Sequence, residues 1–305
     1  MAPPYRLDLT VNVLRRLATN LVDVLTSDGT YLRLLGDPAD GVVVRVRQPS
    51  PESLTIGIEA DPREHPRLLA LVRRMLGVEK DLTRFYASAA SIAWLHPLVH
   101  RMSGVRPPRY PTLWEACVNA IVFQQVSLAA ASAIMGRLTV ALGAPVKRDG
   151  VQLYHFPSAA RFRGAADGVL RVAGLSAGKL ATLRRVGDAL DTAAFDPTRF
   201  ELLPSADAAA LLQRIKGIGP WTATVILIRG TGRLDVFPAN DSSVARNLAL
   251  VGGSEPVDLD GALQRLGPDR GMLYYHLLLA RLEARAALGL APVATVPQRT
   301  RRAGA

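Results

Sequence analysis

The sequence predicts an α+β protein, a small N-terminal antiparallel sheet with helices followed by an all-α region. Three observations carry that reading. Residues 31–58 hold three short β-like runs separated by breakers, the second and third alternating with the period-two mark of half-buried strands. From residue 79 to 289, apolar residues recur at helical spacing almost without interruption. Inside that helical region, Lys216-Gly217-Ile218-Gly219-Pro220 forms a tight turn between two helix-like segments. The expected units are an α+β domain over 1–78, an all-α region over 79–289 and a basic disordered tail over 290–305.

In the first unit, Tyr5–Leu9 reads as a strand, and Val13, Leu14, Leu17, Leu21 and Val24 place a helix within 11–25. The run Tyr31–Leu35 follows the turn signal Ser27-Asp28-Gly29. Val42–Val46 puts Val44 and Val46 on one face, with Arg45 and Arg47 on the other. Leu54, Ile56 and Ile58 alternate in a third run, and Asp37-Pro38, Pro49 and Pro51 separate the runs. Pro62 opens a helix to about Leu76. Strands followed by a helix suggest a sheet covered by helices on one side.

The second unit begins with helices over 81–90 and 94–102 and a proline-rich basic connector over 105–111. Thr112 is the N-cap of a helix to about Phe123, and Glu115 completes a capping box. Ser127 caps the next helix, to about Leu142, so Gln124-Gln125-Val126 is the turn between them. After an insert over 147–155, Ser158 caps a helix, and Leu180–Leu190 follows. Lys179, Arg184 and Arg185 make a basic helical face, either solvated or in contact with phosphate. Helices over 208–215 and 221–229 flank the glycine turn, and further helices span 241–250 and 268–288.

The net charge of +11 favours nucleic acid or an anionic membrane surface as partner, and 49% hydrophobic residues argue for a packed globular protein. No strongly amphipathic lysine-rich helix supports the membrane alternative. The uncharged run 116–136 is broken by Asn119, Gln124, Gln125 and Ser127 and reads as buried soluble helices. The N-terminus lacks a charged-then-apolar signal pattern, so the expected location is cytoplasmic, on the nucleoid when DNA is bound. Cys117 is the sole cysteine. That excludes an intramolecular disulfide, a four-cysteine zinc site and a four-cysteine iron–sulfur cluster within this chain. His96 and His100 are four apart but have Pro97 between them and no acidic partner near, so no metal site is expected.

The glycine turn has its own chemistry. Gly217 and Gly219 permit unusual backbone and close approach, and Pro220 suits the first position of a helix. Free N–H groups at the positive end of that helix make an anion site. Gly217-Ile218-Gly219-Pro220-Trp221-Thr222-Ala223, then Asp235-Val236-Phe237-Pro238, then Asp241, resemble the helix-hairpin-helix DNA glycosylases, and more narrowly the DNA-3-methyladenine glycosylase II type. Ile121–Leu128 resembles the family loop that enters the DNA minor groove. The order of elements over 1–78 is similar to the half TATA-binding fold that heads these enzymes.

The resemblance implies two helical subdomains with the cleft between them, and a monofunctional glycosylase that flips out alkylated bases of the 3-methyladenine and 7-methylguanine type. Asp241 is then the catalytic carboxylate, beside the positive charge that grows on the sugar. At about 4 Å and a dielectric near 20 such a pair is worth roughly 4 kcal/mol, about three decades of rate. By itself Asp241 also reads as an N-cap, and Asp235 as a structural rival. Trp221 stands where strand-cutting relatives carry a lysine, which implies no lyase activity. Trp221 and either Tyr274 or Tyr275, with Tyr275 preferred, are the expected base-pocket rings, beside Val225 and Leu278. Gln125 is the expected wedge and Gln124 an inward anchor. Together with Lys216, Gly217, Gly219 and Thr222 they form the expected DNA-binding set. No cofactor is implied, although a Na+ or K+ at the hairpin carbonyls is. The partner is damaged double-stranded DNA, and the protein is expected to be a monomer. A glycosylase for deaminated bases and a non-catalytic damage-binding protein remain open alternatives.

Overall fold

The computed structural model describes residues 4–36, 41–239, 242–252 and 257–288. Helix α1 (Leu7–Arg15) comes first, and every residue in it is buried. The strand expected over Tyr5–Leu9 does not form, and the helix stops well before Leu25. Leu7, Leu9, Val11 and Val13 are each at most 2% exposed. A helix covered on all sides loses its one-sided apolar stripe, which is why this stretch mimics a strand.

The sheet is a four-stranded antiparallel meander: β1 (Val24–Leu25), β2 (Tyr31–Leu35), β3 (Val42–Ser50) and β4 (Ser53–Glu59), in that spatial order. Leu34 pairs with Val43, and Val46 with Ile56. Because side chains alternate across a strand, the sheet has two buried faces. Tyr31, Leu35, Val44 and Val46 face the main core, with Leu7 and Val11 of α1 and Leu68 and Val72 of α2 (His65–Met75). Leu32, Leu34 and Val43 form a separate cluster on the other face.

Helices α3 (Thr83–Ala90), α4 (His96–Arg101), α5 (Leu113–Val122) and α6 (Leu128–Leu142) follow. Then the all-helical expectation fails. Strands β5 (Pro145–Arg148) and β6 (Val151–Tyr154) make a hairpin on Asp149-Gly150, both at positive φ, 51° and 76°. Asp-Gly is the pair that such a two-residue turn favours. Leu153 packs into the outer-face cluster, Arg148 Nε reaches Glu59 at 3.1 Å, and Arg45 pairs with Asp149. A hairpin, not a helix, therefore closes the outer face of the sheet.

The chain continues through α7 (Ala159–Gly164), α8 (Asp167–Val172), α9 (Ala177–Leu190), α10 (Pro197–Leu202), α11 (Ser205–Gln213) and α12 (Pro220–Ile226). A π-helical turn at Leu227–Thr231 leads to α13 (Ser242–Gly252), α14 (Leu259–Leu266) and α15 (Gly271–Ala284). Among the described residues no helix is long and apolar enough to cross a membrane. Cys117 is fully buried in the core, and burial pushes its thiol pKa up.

Thr112 caps α5 as expected, its Oγ1 accepting from Glu115 N at 3.1 Å. The Glu115 carboxylate does not close the capping box. It pairs instead with Arg33 Nη2 at 2.5 Å, while Arg33 Nη1 reaches Asp23 at 2.5 Å and Tyr31 OH donates to Asp23 at 2.8 Å. This dry cluster joins the sheet to α5. Two hydrophobic clusters make the interior: one holds the inner sheet face with α5, α9, α11 and α12, the other α3, α4, α14 and α15. Phe123, Val236 and Tyr274 pack against both.

A candidate active-site cleft

A cavity of about 960 Å³ opens at the junction of the two clusters. Its wall is built from the end of α1, the α5–α6 turn, the start of α12, α13 and α15. The glycine turn enters it as a helix–turn–helix between α11 and α12. Gly217 has φ of 104°, and a Cβ there would collide with Thr182 Oγ1 of α9, so this glycine is demanded by both its backbone and its neighbour. Gly219 is different. Its φ of −91° and ψ of 179° are ordinary extended values, and a Cβ added there would meet nothing within 4 Å. The expectation of conformational need therefore holds for Gly217 and is corrected for Gly219. Pro220 begins α12, and the N–H groups of Gly217 and Gly219 make no hydrogen bond among the described residues.

Gln124 ties the two turns together. Its Nε2 donates to Thr222 Oγ1 at 2.6 Å and to Gly217 O at 3.2 Å. Thr222 is 3% exposed, so its expected contact with DNA gives way to a bond inside the protein. Gln125 sits at the tip of the α5–α6 turn with φ of 53° and an exposed side chain. Lys216 is exposed as well.

The basic face of α9 reaches main-chain carbonyls. Lys179 Nζ donates to Val122 O at 2.7 Å and Gln124 O at 2.9 Å, capping α5, and burial lowers its pKa. Arg184 holds the carbonyls of Phe162, Arg163 and Ala165, and Arg185 Nη1 donates to Lys216 O at 3.3 Å. Orphan carbonyls at helix ends attract Lys179 and Arg184, while Arg185 stays exposed.

Of the two tyrosines on α15, Tyr274 lines the cavity. The expectation of Tyr275 as a pocket ring is corrected. Tyr275 is 0% exposed and turned away, its hydroxyl 3.1 Å from both Pro108 O and Ile228 O. Burial raises its pKa, since ionisation in that setting is unfavourable. Trp221 lines the cavity half-buried, and its Nε1 has no hydrogen-bond partner among the described residues. Val225 and Leu278 line it too, and Asp235 is exposed outside it.

Asp241 lies outside the described residues. It directly precedes Ser242, the first residue of α13, and Val244, Arg246 and Asn247 of that helix line the cavity. Arg16, Arg246, Arg281 and Arg285 also line it, with no carboxylate among the described lining residues. None of these arginines carries a sequence motif; they converge only through packing of α1, α13 and α15.

No family model matches the chain. It is 32% identical over 261 residues to a Mycobacterium tuberculosis protein named probable bifunctional transcriptional activator/DNA repair enzyme AlkA, covering 82% of this chain and 50% of that one. The chain thus spans about half the length of that relative. It is 24% identical over 279 residues to DNA-3-methyladenine glycosylase 2 of Escherichia coli, covering 90% and 94% of the two chains. Among solved structures, the 3-methyladenine DNA glycosylase from Archaeoglobus fulgidus superposes with a TM-score of 0.79 at 22% identity, over 92% of this chain and 97% of that one. A four-stranded sheet heading a helical body, and a cleft entered by a glycine hairpin, define the class: the chain belongs to the helix-hairpin-helix DNA glycosylase superfamily. Within it, the sequence similarity runs to proteins named DNA-3-methyladenine glycosylase.

Proposed function

We propose that this chain is a monofunctional DNA glycosylase that releases alkylated bases from double-stranded DNA and leaves an abasic site. The observation that carries the reading is the convergence of the glycine hairpin, the Gln124–Gln125 turn and Trp221 with Tyr274 on one cavity of about 960 Å³, ample for an extruded base. The N–H groups of Gly217 and Gly219 at the start of α12 bind a backbone phosphate. Such contacts position the protein without reading sequence. Lys216 and the net charge of +11 add a field that weakens with salt.

Flipping is required because C1′ is shielded in the stacked duplex. Gln125, exposed at the tip of its turn, fills the gap and offers its amide to the orphaned base. Trp221 and Tyr274 present ring faces to the flipped base. A base alkylated at N3 or N7 is cationic, which an aromatic face attracts by about 0.5–2 kcal/mol. Such a base leaves as a neutral molecule, so no general acid is needed. Asp241 stabilises the sugar cation, and water completes the bond to C1′ with loss of a proton. With Trp221 in place of an amine nucleophile no Schiff base forms and the strand is not cut.

The hairpin carbonyls would hold a Na+ or K+ through the second lone pair that each oxygen keeps beside the hydrogen bond it accepts. The carbonyls of Ile215, Lys216 and Gly217 accept from Ile218 N, Arg185 Nη1 and Gln124 Nε2. No step is routed through one, and no cofactor enters the reaction.

The test is base release and strand cleavage on a duplex with one 3-methyladenine-type lesion, for wild type and Asp241→Asn. Wild type leaves alkali-labile sites without nicking, and the variant binds DNA but is slowed by about three decades. Unaided nicking would overturn the argument from Trp221. Binding without release from alkylated or deaminated DNA would leave a damage-binding protein.

A further inference from the structure

Arg16 stands at the C-terminal end of α1, at the centre of a γ-turn closed by Leu17 N to Arg15 O at 2.7 Å. Its φ of 60° and ψ of −56° belong to the rare form of that turn, which is strained for a residue with a side chain. Strain of this kind persists where the surroundings over-determine it. Here α1 packs on α15, and the Arg16 guanidinium lies over the Phe123 ring, Cζ 3.7 Å from the centroid. The residue is 5% exposed, lines the cavity, and its Nη1 has no hydrogen-bond partner among the described residues. A buried charge without a partner is unfavourable, and a guanidinium has donors but no acceptor. The guanidinium therefore has donor capacity left for an acceptor that arrives in the cavity.

We infer that Arg16 is a specificity-determining residue that donates a hydrogen bond to a ring carbonyl oxygen of the flipped base, favouring 6-oxo purines over 6-amino purines. The inference rests on the glycosylase reading above. Guanine and hypoxanthine bases present O6 as an acceptor, and arginine pairs readily with that edge. Adenine bases present an amino group there, whose N–H bonds meet the N–H bonds of the guanidinium. The contact with Phe123 holds the planar fork, which a lysine could not reproduce. Its burial separates Arg16 from Arg246 and Arg285, which are exposed on the same wall and better placed for phosphate.

The experiment compares release of 7-methylguanine and 3-methyladenine from methylated duplex DNA by wild type, Arg16→Gln and Arg16→Lys. Thermal unfolding of each variant is recorded alongside. The ratio of kcat/KM for 7-methylguanine over 3-methyladenine falls about ten-fold in Arg16→Gln and by less in Arg16→Lys, which keeps a donor. An unchanged ratio, with both rates falling together, overturns the inference. So does a loss of affinity for undamaged DNA with a salt slope reduced by about one, which marks a phosphate contact. If wild type releases neither base, the glycosylase reading falls separately. Relative affinity for duplexes with hypoxanthine or adenine at one site then decides Arg16: a preference for hypoxanthine lost in Arg16→Gln supports it, and an equal affinity in wild type overturns it.

Discussion

Arg33 and Arg16 are both nearly removed from solvent, at 1% and 5% exposure, yet they belong to opposite kinds of site. Arg33 lies in the seam between the sheet and α5, with Asp23 and Glu115 each 2.5 Å from its guanidinium. Arg16 lies at the cleft, held by an aromatic face, with no carboxylate among the described residues of that cavity, although it also borders a smaller pocket lined by Asp23 and Glu115. In the seam, opposite charges answer each other within the fold through both Nη atoms of Arg33, although its Nε makes no hydrogen bond among the described residues. In the cleft, arginines converge, and Arg16 keeps a donor without an acceptor among the described residues. Partner supply, more than burial, separates a charge that holds the structure from one that awaits a ligand.

Chemical denaturation of two variants would break or sharpen that contrast first. Arg33→Met strands two buried carboxylates and costs about 3–5 kcal/mol. Arg16→Gln strands nothing and changes stability by about 1 kcal/mol or less. Equal losses would dissolve the distinction.

The next effect comes from His276, on α15 behind the cleft. It is 0% exposed, its ring is tilted against Phe85 with centroids 5.0 Å apart, and its Nδ1 lies 2.8 Å from Met272 O. Burial pulls its pKa down to about 4. The unfolded chain takes up this proton near the usual pH of about 6.5 and the folded chain only near 4, so stability is lost as pH falls through that window. A shift of this size corresponds to about 3 kcal/mol. Urea unfolding at pH 7 and pH 4 should show the acid loss shrinking by that order in His276→Leu relative to wild type.

A smaller contrast divides the hairpin itself. Gly217→Ala forces both a positive φ and a clash with Thr182, costing about 2 kcal/mol. Gly219→Ala meets open space and ordinary backbone angles. It should leave the melting temperature unchanged and weaken DNA binding alone, measured as a titration at fixed salt. Equal destabilisation by both would mean that the two glycines share a structural role.

Periodicity and punctuation made much of the fold legible. Strands β3 and β4 carry alternation between proline and glycine breakers, and Thr112, Ser127 and Ser158 announce helix starts with side chains that accept from main-chain N–H groups. These signals are local, so the chain reveals them unaided. The glycine hairpin was equally plain, because its angles and residue types are set within five positions. Burial on all sides hid α1. The β5–β6 hairpin was missed because its four-residue strands sit in a helical context and gain their stability from the sheet they cover.

At the cleft the division is sharper. Sequence alone marked Trp221, the two glycines, the paired glutamines and the choice between Tyr274 and Tyr275, and it proposed Asp241. Tertiary structure alone decided which tyrosine faces the cavity, because the two directions differ by one residue on a helix packed on both sides. It also chose Thr222 and Gly217 as the partners of the inward Gln124, tied Lys179, Arg184 and Arg185 to carbonyls, and brought Arg16 to the wall from a distance of more than two hundred residues along the chain from Trp221. Residue type fixes what a group can donate or accept; only packing fixes whether another part of the protein has already answered it.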